Sequence, residues 1–251
     1  MKTPPRACAK ILNAAQSARR VALIEKTAIT HHGQVGVALH AAGARTEVFR
    51  PWRDGALPGL GDHDGPVVFG GEQNALSDAR HPDLPALSRL MADSGASGRA
   101  VLGVCLGAQI MARRLGAEIH RGTAAEFGWA EVGLLPQAAT VPVLRHLATA
   151  FPIFEWHSDT HPATLPPGST HIATGPVAHI QCYRTHRAAY GMQFPVGANR
   201  AVVADWIATY PDAFEAGAPG WLANWPTRAL TAGAAADQHG LTIAREWVKL
   251  I

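Results

Sequence analysis

The sequence lacks long hydrophobic runs, although 47% of its 251 residues are hydrophobic. No segment approaches the roughly 18 consecutive apolar residues that a membrane-spanning helix requires. A chain of this length is large enough to bury a sizeable core within one domain. We therefore expect a soluble globular protein with no membrane association.

Cysteine is scarce, with only Cys8, Cys105 and Cys182 at wide spacing. An odd number of cysteines in a chain of this size does not indicate a disulfide framework, which is typical of much smaller secreted domains. The sequence therefore favours a reducing, cytoplasmic location.

Charge of either sign is also sparse, and the formal net charge is only +3. Because the basic residues form no tract that could follow phosphates, we expect no nucleic-acid partner. Residues 1–20 are locally basic and carry no acidic residue, but they lack the apolar core of a secretory signal. We interpret them as an N-terminal extension, with an organellar transit peptide as the alternative.

The first half of the chain alternates short apolar runs with segments of helical spacing. The expected strands are VALIE, TEVFR, GPVVFGG and RAVLGVCLG, and the expected helices are GQVGVALHAAG, LPALSRLMADSG closed by Gly95, and AQIMARRLG closed by Gly116. Strands that alternate with helices predict an α/β fold with a doubly wound, mostly parallel sheet and helices on both faces. Ligands of such sheets bind at the carboxyl ends of the strands.

The second half is less regular, and residues 127–194 indicate short strands and loops with a hairpin around His186 and Arg187. We expect a helix near residues 200–210, an irregular segment PDAFEAGAPG and a final amphipathic helix LTIAREWVKLI. Residues 21–251 are thus predicted to form one domain with a helical appendage from about residue 211.

The segment GVCLG, residues 103–107, lies between a predicted strand and a predicted helix. It has the Gly-x-nucleophile-x-Gly pattern of a nucleophile elbow, with Cys105 as the nucleophile. A thiol at a helix N-terminus ionises more easily, because the helix dipole favours negative charge there. The alternative is that Cys105 is a small buried hydrophobic residue.

The segment RAVLGVCLGAQIMARRLGAEIHRG resembles the nucleophile segment of class I glutamine amidotransferases, especially small stand-alone members similar to the glutaminase domain of GMP synthase. Four further segments resemble the family in the same order: DHDGPVVFGG, EFGWAEVGLLP, FEWHSDTHPATLPPG and YGMQF. The likeness extends from about Val21 to Trp206. It implies the flavodoxin-like glutamine amidotransferase fold, and an enzyme that hydrolyses the glutamine side-chain amide and passes ammonia to an acceptor.

The resemblance also assigns roles to individual residues. It implies that Cys105 forms a γ-glutamyl thioester, that Gly71 and Leu106 supply backbone oxyanion donors, and that Gln109 lines the glutamine pocket.

The same resemblance places His157 and Asp159 near this cleft. They either contact substrate or form a buried pair that supports a loop. Glu72, which follows the glycine pair, would oppose ionisation of the thiol if it pointed inward. We expect it to point outward.

The resemblance fails directly after YGMQF. The family continues with His-Pro-Glu, in which the histidine is the general base and the glutamate orients it, whereas this chain has Pro195, Val196 and Gly197. Each proton transfer by such a base is typically worth about 10²- to 10⁴-fold in rate. Standard glutamine hydrolysis is therefore in doubt.

Other histidines could replace the missing base, since the chain has 13. His31 and His32 follow the first strand at the correct edge of the sheet and are the best candidates. His31, His32, His63 and His81 all fall in loops, but none forms a recognised ligand spacing with cysteine or carboxylates. We expect no metal and no other cofactor.

Two hypotheses remain. The first is an amidotransferase or glutaminase-like enzyme that acts on glutamine or a γ-glutamyl compound through Cys105 with an unusual base or altered chemistry. The second is a catalytically impaired or inactive member of the fold that binds a small molecule or a protein partner. Because the sequence shows no acceptor domain, ammonia transfer would require a separate synthetase.

Overall fold

The computed structural model describes residues 18–121, 125–157 and 160–251. In these ranges the chain forms eleven strands and eight α-helices. The strands are β1 (Arg20–Ile24), β2 (Arg45–Phe49), β3 (Gly65–Val68), β4 (Val101–Val104), β5 (Ile119–Arg121), β6 (Glu126–Leu134), β7 (Ala150–His157), β8 (Thr160–Pro162), β9 (Thr170–Thr174), β10 (Cys182–Thr185) and β11 (Ala189–Met192).

The α-helices are α1 (Gly33–Ala41), α2 (Pro51–Asp54), α3 (Asp83–Ala96), α4 (Leu106–Arg114), α5 (Arg200–Thr209), α6 (Pro211–Gly217), α7 (Trp221–Arg228) and α8 (Ala234–Val248). A short 3₁₀ helix spans Pro136–Thr140, and a π-helical turn at Ala229–Gly233 joins α7 to α8. None of the helices in the described ranges combines the length and apolar character needed to cross a bilayer.

The main sheet is mixed, with the strand order β2-β1-β3-β4-β11-β10-β9-β6-β7. The four pairings from β2 to β11 are parallel, and the four from β11 to β7 are antiparallel. Strands β5 and β8 form a separate antiparallel pair. The α/β fold class with helices on both faces is confirmed, and its parallel part contains the predicted alternation of strands and helices.

Apart from the exposed edge strand β2, the parallel strands are buried on both faces, which explains their continuous apolar runs. In β1, Val21 and Leu23 pack against the layer of α1 and α8, whereas Ala22 and Ile24 pack against the layer of α3 and α4. The alternation of side chains along a strand places successive residues in different cores. The sheet therefore packs against a helical layer on each of its two faces.

The C-terminal helices cover the antiparallel part of the sheet. Phe214 on α6 and Trp221 on α7 pack with Trp129 and Phe154 of β6 and β7 in an aromatic cluster. The expectation of an irregular segment PDAFEAGAPG is wrong, because residues 211–217 form α6 with Pro211 in its first turn, where a missing N–H costs nothing.

The turn residues mostly follow the sequence pattern. The predicted hairpin of β10 and β11 is confirmed, and His186 adopts a φ of 50° in its turn. Gly116 follows α4 with a φ of 95°, as expected of a helix stop. Helix α3 instead continues through Gly95 to Ala96, and Gly98 provides the left-handed residue after its end. Residues 1–17 lie outside the described ranges, so the N-terminal extension stays a prediction.

Candidate active site

Strands β4 and β11 bring the predicted nucleophile beside the residues that follow YGMQF. They are paired in parallel, with Val104 opposite Met192, and the backbone N–H of Cys105 donates to the Met192 carbonyl at 2.8 Å. The hydrogen bond fixes the nucleophile's backbone to the end of β11. Cys105 and the segment after Phe194 therefore occupy the same edge of the sheet.

The backbone at Cys105 has the strained geometry of a nucleophile elbow. Its φ of 50° and ψ of −109° are unfavourable for a residue with a side chain, and α4 begins at the next residue. A Cβ atom on Gly107 would lie 2.2 Å from the Val68 carbonyl oxygen, and one on Gly103 would lie 2.8 Å from the Gly107 carbonyl. Both glycines are therefore required for the close packing of this turn.

A cavity of about 410 Å³ opens above the elbow. Its floor contains Gly71, Cys105, Leu106 and Gln109, so four residues assigned from the resemblance share one cavity. Its other walls include aromatic and apolar side chains of β7, α5, α6 and the residue that joins these two helices: Trp156, Val202, Trp206, Tyr210 and Ala213. A pocket with a few polar groups and a largely apolar wall is typical of a small-molecule site.

The thiol of Cys105 is held by a short chain of amides. Gln193 Nε2 lies 3.9 Å from Cys105 Sγ, and the Gln109 amide donates to Gln193 Oε1 at 3.3 Å. Gln193 and Gln109 are both nearly fully buried. The sequence analysis assigned no role to Gln193. Its position two residues before Pro195, at the end of the last core strand, could have indicated that it lies near Cys105.

Burial raises the pKa of the Cys105 thiol to about 12. The backbone N–H of Leu106 opposes this shift and lowers the pKa, while the negative charge of Glu155 raises it further. These surroundings therefore favour the neutral thiol. To become a thiolate, a cysteine in such surroundings needs a neighbouring base or a neighbouring positive charge.

The segment after β11 carries no base. Pro195 and Gly197 both line the cavity, whereas Val196 is fully buried in the main core. The Gly197 carbonyl accepts a hydrogen bond from the Gln34 backbone N–H at 3.0 Å, which joins this segment to the first turn of α1. The positions of the expected histidine and glutamate are thus occupied by a backbone turn.

His31 and His32 lie near this turn but have other partners. His31 lines the cavity, and its Nε2 atom is 3.3 Å from an oxygen of Asp205. His32 Nε2 lies 2.9 Å from Glu25 Oε1, and its ring stacks on Phe69 at 5.2 Å. Phe69 lines the cavity and His32 does not, so His31 is the better placed of the two predicted replacements.

His157 lines the same cavity from β7, but it is bound between two carboxylates. Its Nε2 atom lies 2.9 Å from Glu126 Oε2 and 3.4 Å from Glu155 Oε2. Burial, the largest single cause, raises the pKa of Glu126, but the hydrogen bond and positive charge of His157, together with the backbone N–H groups of Ala178 and Val177, lower it overall. Asp159, the proposed companion of His157, lies outside the described residues.

Glu155 is fully buried beside this histidine. Burial, the largest cause, raises the pKa of its carboxyl group to about 7, His157 lowers it, and the charge of Glu126 raises it. Sequence reasoning missed both glutamates. The alternation along β7 was the available signal, because Glu155 and His157 occupy the inward positions that Phe151 and Ile153 occupy earlier in the strand.

The histidines considered for a metal are not brought together. Among the described residues, the group of side chains close enough to share an ion is Glu126, Glu155 and His157. His63 instead contacts Glu47, with 3.0 Å between His63 Nε2 and Glu47 Oε2.

Glu72 is exposed at the cavity rim, where its carboxylate accepts a hydrogen bond from the Tyr210 hydroxyl at 3.4 Å. This arrangement agrees with the outward orientation expected from the sequence.

The family model described as "Glutamine amidotransferase class-I" matches residues 37–194, well over half of the chain. The chain belongs to the class I glutamine amidotransferase family. Its fold is that of class I glutamine amidotransferases of known structure. A glutamine amidotransferase from Methylobacillus flagellatus superposes with a TM-score of 0.82 at 26% identity, covering 94% of this chain and 96% of that chain. One from Thermotoga maritima gives 0.81 at 21% identity, covering 92% and 97%.

Curated relatives of this class I glutamine amidotransferase match it over shorter segments. The glutamine amidotransferase-like protein YfeJ of Salmonella typhimurium is 28% identical over 120 residues, which are 47% of this chain and 48% of that protein. The GMP synthase of Anaplasma marginale is 29% identical over 157 residues, which are 61% of this chain and 29% of that protein. The aligned segments thus span less than half the length of either relative.

Proposed function

We propose that this chain retains the ligand pocket of a class I glutamine amidotransferase and binds glutamine or a γ-glutamyl compound there. We propose further that it does not release ammonia by the Cys-His-Glu route of the family. The observation that carries this proposal is the presence of Pro195 and Gly197, in place of the histidine and glutamate, on the wall of the cavity that contains Cys105.

Retention of the pocket is supported by its backbone geometry. The strained φ at Cys105 persists, and the N–H of Leu106 interacts with the thiol from the first turn of α4. This is the position from which a backbone donor stabilises an oxyanion. Gly71 and Gln109 border the same space. A pocket with these groups suits a ligand with a planar amide or a γ-glutamyl carbonyl.

Loss of the standard reaction is supported by the state of the thiol. With a pKa of about 12, only a very small fraction is thiolate at neutral pH. The leaving amine of an amide also needs a proton, which the missing histidine would have supplied. Binding can therefore persist while turnover is lost.

The test compares binding with turnover in the same preparation. Ammonia release from glutamine is measured for the natural chain and for Cys105→Ala, together with labelling of Cys105 by an electrophilic glutamine analogue. We expect slow labelling of Cys105, at a rate that rises with pH because the thiol is mostly protonated, without ammonia release. Turnover that disappears in Cys105→Ala would overturn the loss of hydrolysis, and absence of both labelling and glutamine binding would overturn the retained pocket.

A second candidate is a Cys105-dependent enzyme with altered chemistry, and a specific observation favours it. His31 and His157 both line the cavity that contains Cys105. A γ-glutamyl compound with a better leaving group than ammonia would need less help from an acid. Release of a chromogenic amine from a γ-glutamyl anilide, dependent on Cys105, would favour this candidate.

A protein that accepts ammonia is needed only if this chain is an active enzyme. The GMP synthase relatives, including that of Anaplasma marginale, are described as glutamine-hydrolysing. If ammonia is released here, we propose that a separate synthetase receives it. Co-purification of such a protein with the natural chain, together with glutamine-dependent product formation, is the corresponding test.

A further inference from the structure

A buried polar cluster lies beneath the cavity, where β6, β7 and the segment before β10 meet. Glu126 faces His157 across the antiparallel pairing of β6 and β7, and Glu155 lies two residues earlier on the same strand face. One possible ligand atom from each of these three side chains lies within 4.8 Å of the other two. The cluster therefore offers one imidazole and two carboxylates to a single point.

The three side chains are almost completely shielded from solvent. The exposed fractions of the side chains are 0% for Glu155, 2% for His157 and 4% for Glu126. Carboxylates of this kind are rarely buried unless they are paired or coordinate a metal, because removing a charge from water is costly. The imidazole can carry at most one positive charge. If both carboxylates are ionised, one negative charge in the cluster therefore stays uncompensated.

The hydrogen-bonding capacity of the cluster is also incompletely used. Glu126 Oε2 accepts hydrogen bonds from the Gln181 amide at 2.7 Å, from His157 at 2.9 Å and from the Ala178 backbone N–H at 3.3 Å. Among the described residues, Glu155 Oε1, Glu126 Oε1 and Gln181 Oε1 have no hydrogen-bond donor, and Glu155 Oε2 has a 3.4 Å ion-pair contact with His157 Nε2. Three buried oxygen atoms of this cluster thus have unused lone pairs, and this favours an additional electrophilic partner.

One of the two separations from the imidazole has the length expected in a tetrahedral zinc site, and the other is a hydrogen bond that an ion would replace. Bonds of about 2.0–2.1 Å to zinc place neighbouring ligand atoms about 3.3–3.4 Å apart in a tetrahedron. The observed separations from His157 Nε2 are 2.9 Å to Glu126 Oε2 and 3.4 Å to Glu155 Oε2. An imidazole ligand favours zinc and other first-row transition metals over Mg²⁺ and Ca²⁺, which prefer all-oxygen sites.

We propose that Glu126, Glu155 and His157 form a binding site for a divalent first-row metal ion of the Zn²⁺ type, entered from the Cys105 cavity, which His157 lines. Three protein ligands leave a fourth position for water or a ligand atom. The site would place positive charge where the negative charge of Glu155 now opposes ionisation of Cys105. The proposal of a metal site does not depend on the proposed function, because metal binding can be measured without substrate.

The test uses the full chain after removal of metals with a chelator. Titration with Zn²⁺, followed by calorimetry and by elemental analysis after gel filtration, should show one bound equivalent, whereas Mg²⁺ should not bind. In Glu155→Gln, which preserves shape and removes one ligand charge, Zn²⁺ affinity should fall at least about tenfold, since loss of even a supporting partner costs about 10- to 100-fold. Glu72→Gln, a carboxylate change at the rim of the same cavity, is the matched control and should leave affinity unchanged.

X-ray absorption of the zinc-bound natural chain gives a second measurement that needs no variant. We expect one imidazole and oxygen ligands at about 2.0 Å. Two or more imidazoles would assign the ion to other histidines and overturn the proposal. Absence of saturable Zn²⁺ binding, or equal Zn²⁺ affinity of Glu155→Gln and the natural chain, would also overturn the proposal. A proton on Glu155 would then account for the burial of two carboxyl groups beside one imidazole.

Discussion

Strands β4 and β11 are parallel neighbours that end at the same edge of the sheet, but the residues after them differ in what they retain. After β4, the strained turn at Cys105 and its flanking glycines keep the geometry of a nucleophile elbow. After β11, Pro195, Val196 and Gly197 form a turn without an ionisable side chain.

The difference shows which parts of an active site are tied to the fold. Gly107 packs against the Val68 carbonyl and Gly103 against Gly107, so a change in either glycine disturbs the contact between α4 and the sheet. A base and its orienting acid contribute side chains that project into a cavity. They can therefore be lost without cost to the core, whereas the elbow cannot.

The largest effect concerns the reactivity of the elbow thiol. In a Cys8→Ser background, carbamidomethylation of Cys105 should be about a thousandfold slower near pH 8 than that of a free cysteine, whose pKa is about 8.5. The rate should rise about tenfold per pH unit towards pH 12, because burial keeps the thiol protonated. Mass spectrometry of the modified peptide measures the rate, with Cys105→Ala as the blank. A plateau near pH 9 would show an ordinary thiol.

The same shift affects stability. The unfolded chain loses the thiol proton near pH 8.5, whereas the folded chain keeps it up to about pH 12. The folded state therefore binds more protons in this interval, and the contribution of Cys105 to the free energy of unfolding declines as pH rises through it. Cys105→Ala should remove that part of the decline in denaturant titrations.

A double substitution after β11 would give both strand ends the catalytic side chains expected of the family. Pro195→His combined with Gly197→Glu should raise ammonia release from glutamine at least about a hundredfold, because it returns a general base and its orienting acid. Pro195→His alone separates the two contributions, since a Cβ on Gly197 would lie only 3.0 Å from the His32 carbonyl oxygen. The same double change in Cys105→Ala is the control. No rise in a folded protein that still reacts with the glutamine analogue would mean that another part of the site is defective.

A third change would break the elbow by packing. Gly107→Ala should lower the free energy of unfolding by about 2 kcal/mol, because the new methyl group would overlap the Val68 carbonyl. Gly133→Ala is the matched control in β6, where a Cβ would meet the Thr174 side chain at an ordinary 3.7 Å. Equal stability of the two variants in denaturant titrations would show that α4 moves away from the sheet easily.

The smallest expected effect concerns the backbone strain at Cys105. Cys105→Gly should be more stable than Cys105→Ala by about 1 kcal/mol, since glycine adopts a φ of 50° without steric cost. Chemical denaturation of both variants gives the difference. If alanine is at least as stable, the turn at this residue is not strained, and the elbow is held by the glycines alone.

The sequence predicted the features that depend on local patterns. The alternation of apolar runs and helical segments predicted the parallel half of the sheet, and GVCLG predicted the turn at Cys105. The location of Pro195 at the same sheet edge as that turn was also expected, because the carboxyl ends of parallel strands meet at one edge.

Features that depend on tertiary pairing were missed. Glu126 and Glu155 are 29 positions apart, and the antiparallel register that aligns Glu126 with His157 brings them together. Helix α6 is not apparent from the sequence, because Pro211 and the glycines indicate a loop, yet its Phe214 is fully buried in the aromatic cluster. Tertiary packing decided the conformation there, where local propensity was ambiguous.

The aromatic wall of the cavity also provides an optical signal. Trp156 and Trp206 line the cavity with their ring centres 5.2 Å apart, while the chain's other five tryptophans lie outside its lining. A molecule that displaces water from this wall changes the polarity around these two indoles. Intrinsic fluorescence can therefore report occupancy of the cavity in the unmodified protein, whether or not any reaction follows.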